Sequence, residues 1–159
     1  MKGIYALVIE MKRNLATSVG ALGILSFSKG IWVYVGSAMG AGSTSIENRL
    51  QRHFRTQKAI HWHVDYLLNA GANPKAAVVA ESDTQVECKL AMLLTNHQSF
   101  RQGPTGFGAS DCKASCKTHL FSYSGSNSPV SLLEDILGML DLQPRVLREE
   151  DTGLKATST

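Results

Sequence analysis

The run Ile31-Trp32-Val33-Tyr34-Val35-Gly36, entered through the turn pair Lys29-Gly30, is the strongest strand signal in the chain. With Gly3-Ile4-Tyr5-Ala6-Leu7-Val8-Ile9-Glu10 it commits the fold to a buried sheet, because β-branched and aromatic side chains fit a pleat better than a helix turn. Lys12-Arg13-Asn14 is a turn, and residues 15–28 hold two short apolar runs broken by Gly20 and Gly23, which predicts an extra hairpin. A loop of small residues, 37–43, leads to a helix start where Thr44 and Glu47 have capping-box spacing. Ile46, Leu50 and Phe54 then form one apolar stripe. A short helix is expected over 63–70, ending at Gly71, and a strand over Ala76–Ala80. Ser82 and Asp83 can cap a helix of about four turns that buries Val86, Leu90, Leu93 and Leu94. Residues 98–117 are polar and glycine-rich, hence loop, and Thr118–Tyr123 reads as a short edge strand. Ser128-Pro129 opens a C-terminal helix carrying Val130, Leu133, Ile136, Leu137 and Leu140. The order β-β-β-β-α-α-β-α predicts an α+β fold with a small central mixed sheet flanked by helices. The expected organisation is a domain over 1–123, a helical extension packed on it over 124–150, and a flexible tail over 151–159, which has nothing to bury.

At 159 residues, 43% hydrophobic and 18% charged, the chain is long enough for one core and lies outside the disordered range. No apolar run approaches the roughly 18 residues of a membrane span and no signal pattern opens the chain, so the expectation is a cytoplasmic protein without a membrane partner. Three cysteines, an odd number, favour reduced thiols or metal ligands over a disulfide framework. Of 16 Lys/Arg and 13 Asp/Glu, only three basic but six acidic groups lie from Phe121 onward. That asymmetry suits a body that meets a polyanion, although charge alone slightly favours ordinary surface scatter. The apolar face of the C-terminal helix suits core packing or a dimer seam, leaving monomer and homodimer both open.

Gly3-Ile4-Tyr5 and Tyr34-Val35-Gly36 are, taken alone, two common strand tripeptides. Their setting is less common: a Tyr-Val-Gly that ends a strand, a loop of small residues, then a helix with Arg49 and His53 four apart on one face. Glu87 follows near the start of a later helix, with Leu90-Ala91 behind it. This series resembles the GIY-YIG nuclease superfamily. The phrases His61-Trp62-His63-Val64-Asp65-Tyr66 and Gly106-Phe107-Gly108-Ala109-Ser110-Asp111-Cys112 resemble its Uri-type branch of small prokaryotic endonucleases. One departure stands out: twenty-nine positions separate Tyr5 from Tyr34, where the superfamily has a tight hairpin, and the extra hairpin accounts for them.

The resemblance implies a metal-dependent DNA endonuclease, acting on damaged, branched or single-stranded DNA, with Tyr5, Tyr34, Arg49, His53 and Glu87 as catalytic residues. Tyr5 would activate water, Glu87 would hold Mg²⁺ or Mn²⁺, Arg49 would clamp the phosphate, and Tyr34 and His53 would support them by hydrogen bonding. The chemistry is consistent with these residue types. A phenol with a pKa of about 10 needs a cation or a proton acceptor beside it to act as base, a guanidinium forks onto phosphate, and a carboxylate is a hard ligand for Mg²⁺. Arg52, Arg55 and Lys58 suit phosphate contacts, with His61 and Asp111 as rim residues of the nucleic-acid site. His61, His63 and Asp65 suggest either a metal site or a helix start held by hydrogen bonds. RNA is cut by the same chemistry, so the residues leave that substrate open.

Cys88, Cys112, Cys116 and His119 form a second constellation, with the soft thiolate and imidazole donors that favour structural Zn²⁺. Buried, unligated cysteine is the alternative. Two other functions are therefore carried forward: a non-catalytic nucleic-acid-binding module and a zinc-stabilised interaction protein.

Overall fold

The two strand-forming runs are neighbours: β1 (Gly3–Met11) and β4 (Gly30–Ala38) pair antiparallel along their whole length, from Gly3↔Ala38 to Met11↔Gly30. A computed structural model describes residues 1–55, 59–109 and 116–152. Between these strands, β2 (Leu15–Ser18) and β3 (Ile24–Phe27) form the expected hairpin as a separate two-stranded sheet. After β4 come α1 (Ile46–Phe54), α2 (His63–Asn69), β5 (Asn73–Glu81), α3 (Glu87–Thr95), β6 (Phe100–Gln102), β7 (Leu120–Tyr123), α4 (Pro129–Gly138) and β8 (Pro144–Leu147). The main sheet has six strands in the order β6-β7-β4-β1-β5-β8.

The α+β class holds, with two corrections to the expected sheet. Every pairing among the described strands is antiparallel, so the sheet is not mixed. Nor is it small, because two short strands extend it. β6 lies inside the stretch expected to be loop, which moves β7 from the edge to a place between β6 and β4. β8 comes from the C-terminal segment and pairs with β5, so that segment supplies a sheet edge as well as a helix.

Strand alternation divides the core. Tyr5, Leu7, Ile9 and Met11 of β1, with Trp32 and Tyr34 of β4, face α1, α2, the hairpin and Phe107. Ile4, Ala6 and Val8, with Val33 and Val35, face α3 and α4. β1 is buried from Gly3 to Ile9 because both of its faces are covered by helices, which explains its unbroken apolar reading.

Two helix starts differ from expectation. Ser45, not Thr44, caps α1 by accepting from the Asn48 N–H, while Glu47 pairs with the Met1 amine at 3.0 Å. α3 begins at Glu87 because Ser82 Oγ accepts from the Thr84 N–H at 3.2 Å, holding 82–84 in a turn. Among the described residues no helix is long and apolar enough to cross a membrane.

Candidate functional site

Tyr5 stands on the central strand with Gly36 directly opposite on β4. A Cβ on Gly36 would lie 2.5 Å from the Tyr5 ring and hydroxyl, so only glycine leaves room for this phenol to lie across β4. Gly3 is equally constrained: its missing Cβ makes space for the Ala80 carbonyl of the neighbouring strand. The glycines of both tripeptides thus have a packing reason.

The Tyr5 hydroxyl meets His53 Nε2 at 2.8 Å, a bond between groups 48 residues apart. α1 delivers the imidazole: Ile46, Leu50 and Phe54 seat the helix on the sheet, which turns His53 inward as well. Tyr5 and His53 are 2% and 1% exposed. Tyr34 completes an aromatic triangle, its ring centroid 6.4 Å from Tyr5 and 6.2 Å from His53. Burial pushes both phenols well above their ordinary pKa, and the nearby Glu87 charge adds to this while the Arg49 guanidinium opposes it. Glu87, half-buried at the first turn of α3, is thus close enough for its charge to reach both phenols and to favour protonation of His119.

Arg49 is half-buried and donates to the Ser37 carbonyl at the end of β4, which sets its guanidinium beside the phenols. It also lies over the Trp62 ring at 4.8 Å, with Arg52 at 5.0 Å from the same ring. Trp62 was not singled out from the sequence, although it stands inside the His61–Tyr66 phrase. Arg52 is engaged within the protein: it pairs with Asp65 at 2.8 Å and donates to the Ala59 carbonyl, so it organises the site from behind.

Asp65 also accepts from the backbone N–H groups of His61 and Trp62, at 2.8 and 3.0 Å. Its complete burial would raise its pKa, but Arg52 and the two amides outweigh that and hold the carboxyl below the usual carboxylate range. Of the two readings of His61, His63 and Asp65, the hydrogen-bonded helix start is the one observed. His63 Nδ1 accepts from the Gly108 N–H at 2.8 Å, and burial lowers its pKa despite backbone contact. The Gly-Phe-Gly loop therefore docks on α2. Phe107 is fully buried 6.3 Å from Tyr34, and a Cβ on Gly108 would press on the Tyr34 ring at 2.9 Å.

Tyr5, Tyr34, His53, Arg49 and Glu87 are thus brought together. Arg55 and His61 are exposed on the α1–α2 side. Lys58, Asp111 and Cys112 lie outside the described residues. Cys88, Cys116 and His119 converge, their ligand atoms all within 4.8 Å of one another. Burial lowers the pKa of His119 against the opposing pull of Glu87.

A six-stranded antiparallel sheet with helices on both faces and a buried phenol–imidazole pair at its centre defines an α+β domain with a polar cluster at its core. Residues 4–142 match the family described as Domain of unknown function DUF123, and the chain belongs to that family. No curated protein and no solved structure matches it.

Proposed function

We propose that this protein is a divalent-metal-dependent endonuclease that hydrolyses phosphodiester bonds in DNA, in the manner of GIY-YIG nucleases. The observation that carries the reading is the Tyr5–His53 hydrogen bond of 2.8 Å, formed beside a permanently charged arginine and a half-buried carboxylate. A core tyrosine needs one hydrogen-bond partner, but not a guanidinium and a carboxylate beside it as well. A phenol meant to accept a proton from water needs both a route for its own proton and a cation to steady its anion.

His53 supplies the route, since Nε2 can take the phenolic proton while the oxygen turns to water. Arg49 supplies the cation: it lowers the cost of the Tyr5 anion, and its half-exposed guanidinium can fork onto a phosphate. Tyr34 packs against both rings and holds them in register. Glu87 fits a hard cation, because no cation of the described residues pairs with its carboxylate and its charge already reaches the phenols. Mg²⁺ or Mn²⁺ bound there would supply charge compensation for the departing oxygen.

The test is cleavage of a labelled panel comprising duplex, single-stranded, flap, abasic and deaminated DNA, with an RNA control, in Mg²⁺ or Mn²⁺. Glu87→Ala is expected to abolish cutting while retaining most binding. Metal-dependent cleavage that survives Glu87→Ala rejects the assigned ligand. Binding without cleavage by the unaltered protein points to a non-catalytic nucleic-acid module, and neither binding nor cleavage points to an interaction protein.

A further inference from the structure

We propose that Cys88, Cys116 and His119 form a structural site for a thiophilic divalent cation, zinc above all, that clamps the first turn of α3 to the segment entering β7. The site stands apart from the nuclease reading and needs no turnover to be true.

Two observations carry it. Cys88 Sγ lies 3.9 Å from His119 Nε2, and the ligand atoms of all three residues fall within 4.8 Å of one another. A tetrahedral zinc with ordinary Zn–S and Zn–N lengths would hold sulfur and nitrogen about 3.6 Å apart and two sulfurs about 3.8 Å apart. The cluster is therefore near the dimensions of an occupied site, and small rotations of the side chains close the difference.

The three groups also come from two separate parts of the chain, held by different forces. Cys88 belongs to α3, which Leu90, Ala91 and Leu94 anchor on the sheet. His119 is 2% exposed and fixed by its own backbone, its N–H donating to the Phe107 carbonyl and its carbonyl accepting from the Val35 N–H, both at 2.8 Å. Cys116 Sγ meets the Cys88 carbonyl at 3.9 Å. Tertiary packing thus converges two sulfurs and one imidazole on one point, the donor set that selects zinc over Mg²⁺.

The neighbouring Glu87 is a hard oxygen donor, so two adjacent residues of one helix turn would sort two kinds of metal.

The experiment uses the full chain, expressed with zinc and exchanged through EDTA to strip loose ions. Elemental analysis is expected to find about one zinc per chain. Titration of the fully stripped protein with Co²⁺ should give a thiolate charge-transfer band that saturates at one equivalent. Cys88→Ser and His119→Ala should each weaken Co²⁺ binding about tenfold or more. Because either variant can fail to fold, the unaltered protein is also alkylated with and without zinc, and the cysteines are mapped by mass spectrometry. Zinc-dependent protection of both Cys88 and Cys116 supports the site. Zinc well below one per chain with no cobalt band, or bound zinc that leaves Cys88 equally reactive, overturns it.

Discussion

Gly36 lies directly against the Tyr5 ring. A methyl group there would press on the Tyr5 ring at 2.5 Å, so Gly36→Ala should destabilise the fold by about 1–3 kcal/mol and displace the phenol from His53. The midpoint of equilibrium denaturation and the proposed DNA cleavage should both fall, and an unchanged unfolding midpoint would refute the close contact. Tyr5→Phe separates the two effects. The ring stays and stability should shift by only about 1 kcal/mol, whereas cleavage should drop by about 10²–10⁴-fold. Because burial raises the Tyr5 pKa, its reactive form is scarce at neutral pH. Cleavage should therefore climb with pH past neutrality, and a pH-independent rate would tell against Tyr5 as base. Tyr5, Arg49 and Glu87 were singled out through the family resemblance, and the fold brings them within electrostatic reach of one another. Trp62 was not, since its value lies in two guanidinium groups that stack on it from a different helix.

Among the elements, α2 depends most on a single side chain. Asp65 is fully buried and satisfies Arg52 and two amides, so Asp65→Ala should cost on the order of 3 kcal/mol by leaving those donors unpaired. The same group sets a sign for pH. Its folded pKa lies below the ordinary 3.8, so its contribution is present above that value and is lost as pH falls through the folded pKa. His63 acts in the same sense earlier: its folded pKa lies below 6.5, so the unfolded chain takes up the proton first and stability declines as pH drops from 6.5. Thermal melts should show both limbs, with the lower one flattened in Asp65→Asn. A melt temperature that rises on acidification would contradict both assignments. Helix α3 illustrates the limit of local reading: its apolar spacing was visible, but its first turn was not, because the Ser82 hydroxyl bonds to a backbone amide two residues on.

Among the described residues the six-stranded sheet is covered on two sides, and α4 and β8 are part of that packing. α4 buries Leu133, Ile136 and Leu137 against the face that carries Ala6, Val78 and Ala80, and β8 covers the edge of β5. A chain truncated after Tyr123 would expose both, so it should lose near-ultraviolet circular dichroism and aggregate. A soluble, cooperatively folding fragment would show that residues 1–123 form a domain without them.

What the amino-acid sequence determined by itself was local: strands β1 and β4, the hairpin between them, and the apolar faces of four helices. Side-chain periodicity reports burial directly, and glycine beside tyrosine reports a close approach. Strand order, the edge strands β6 and β8, and the meeting of Tyr5 with His53 were decided only by tertiary structure. Pairing between distant segments leaves no periodic trace in a run of three or four residues. A hydrogen bond across 48 positions exists only once a helix has been seated on a sheet.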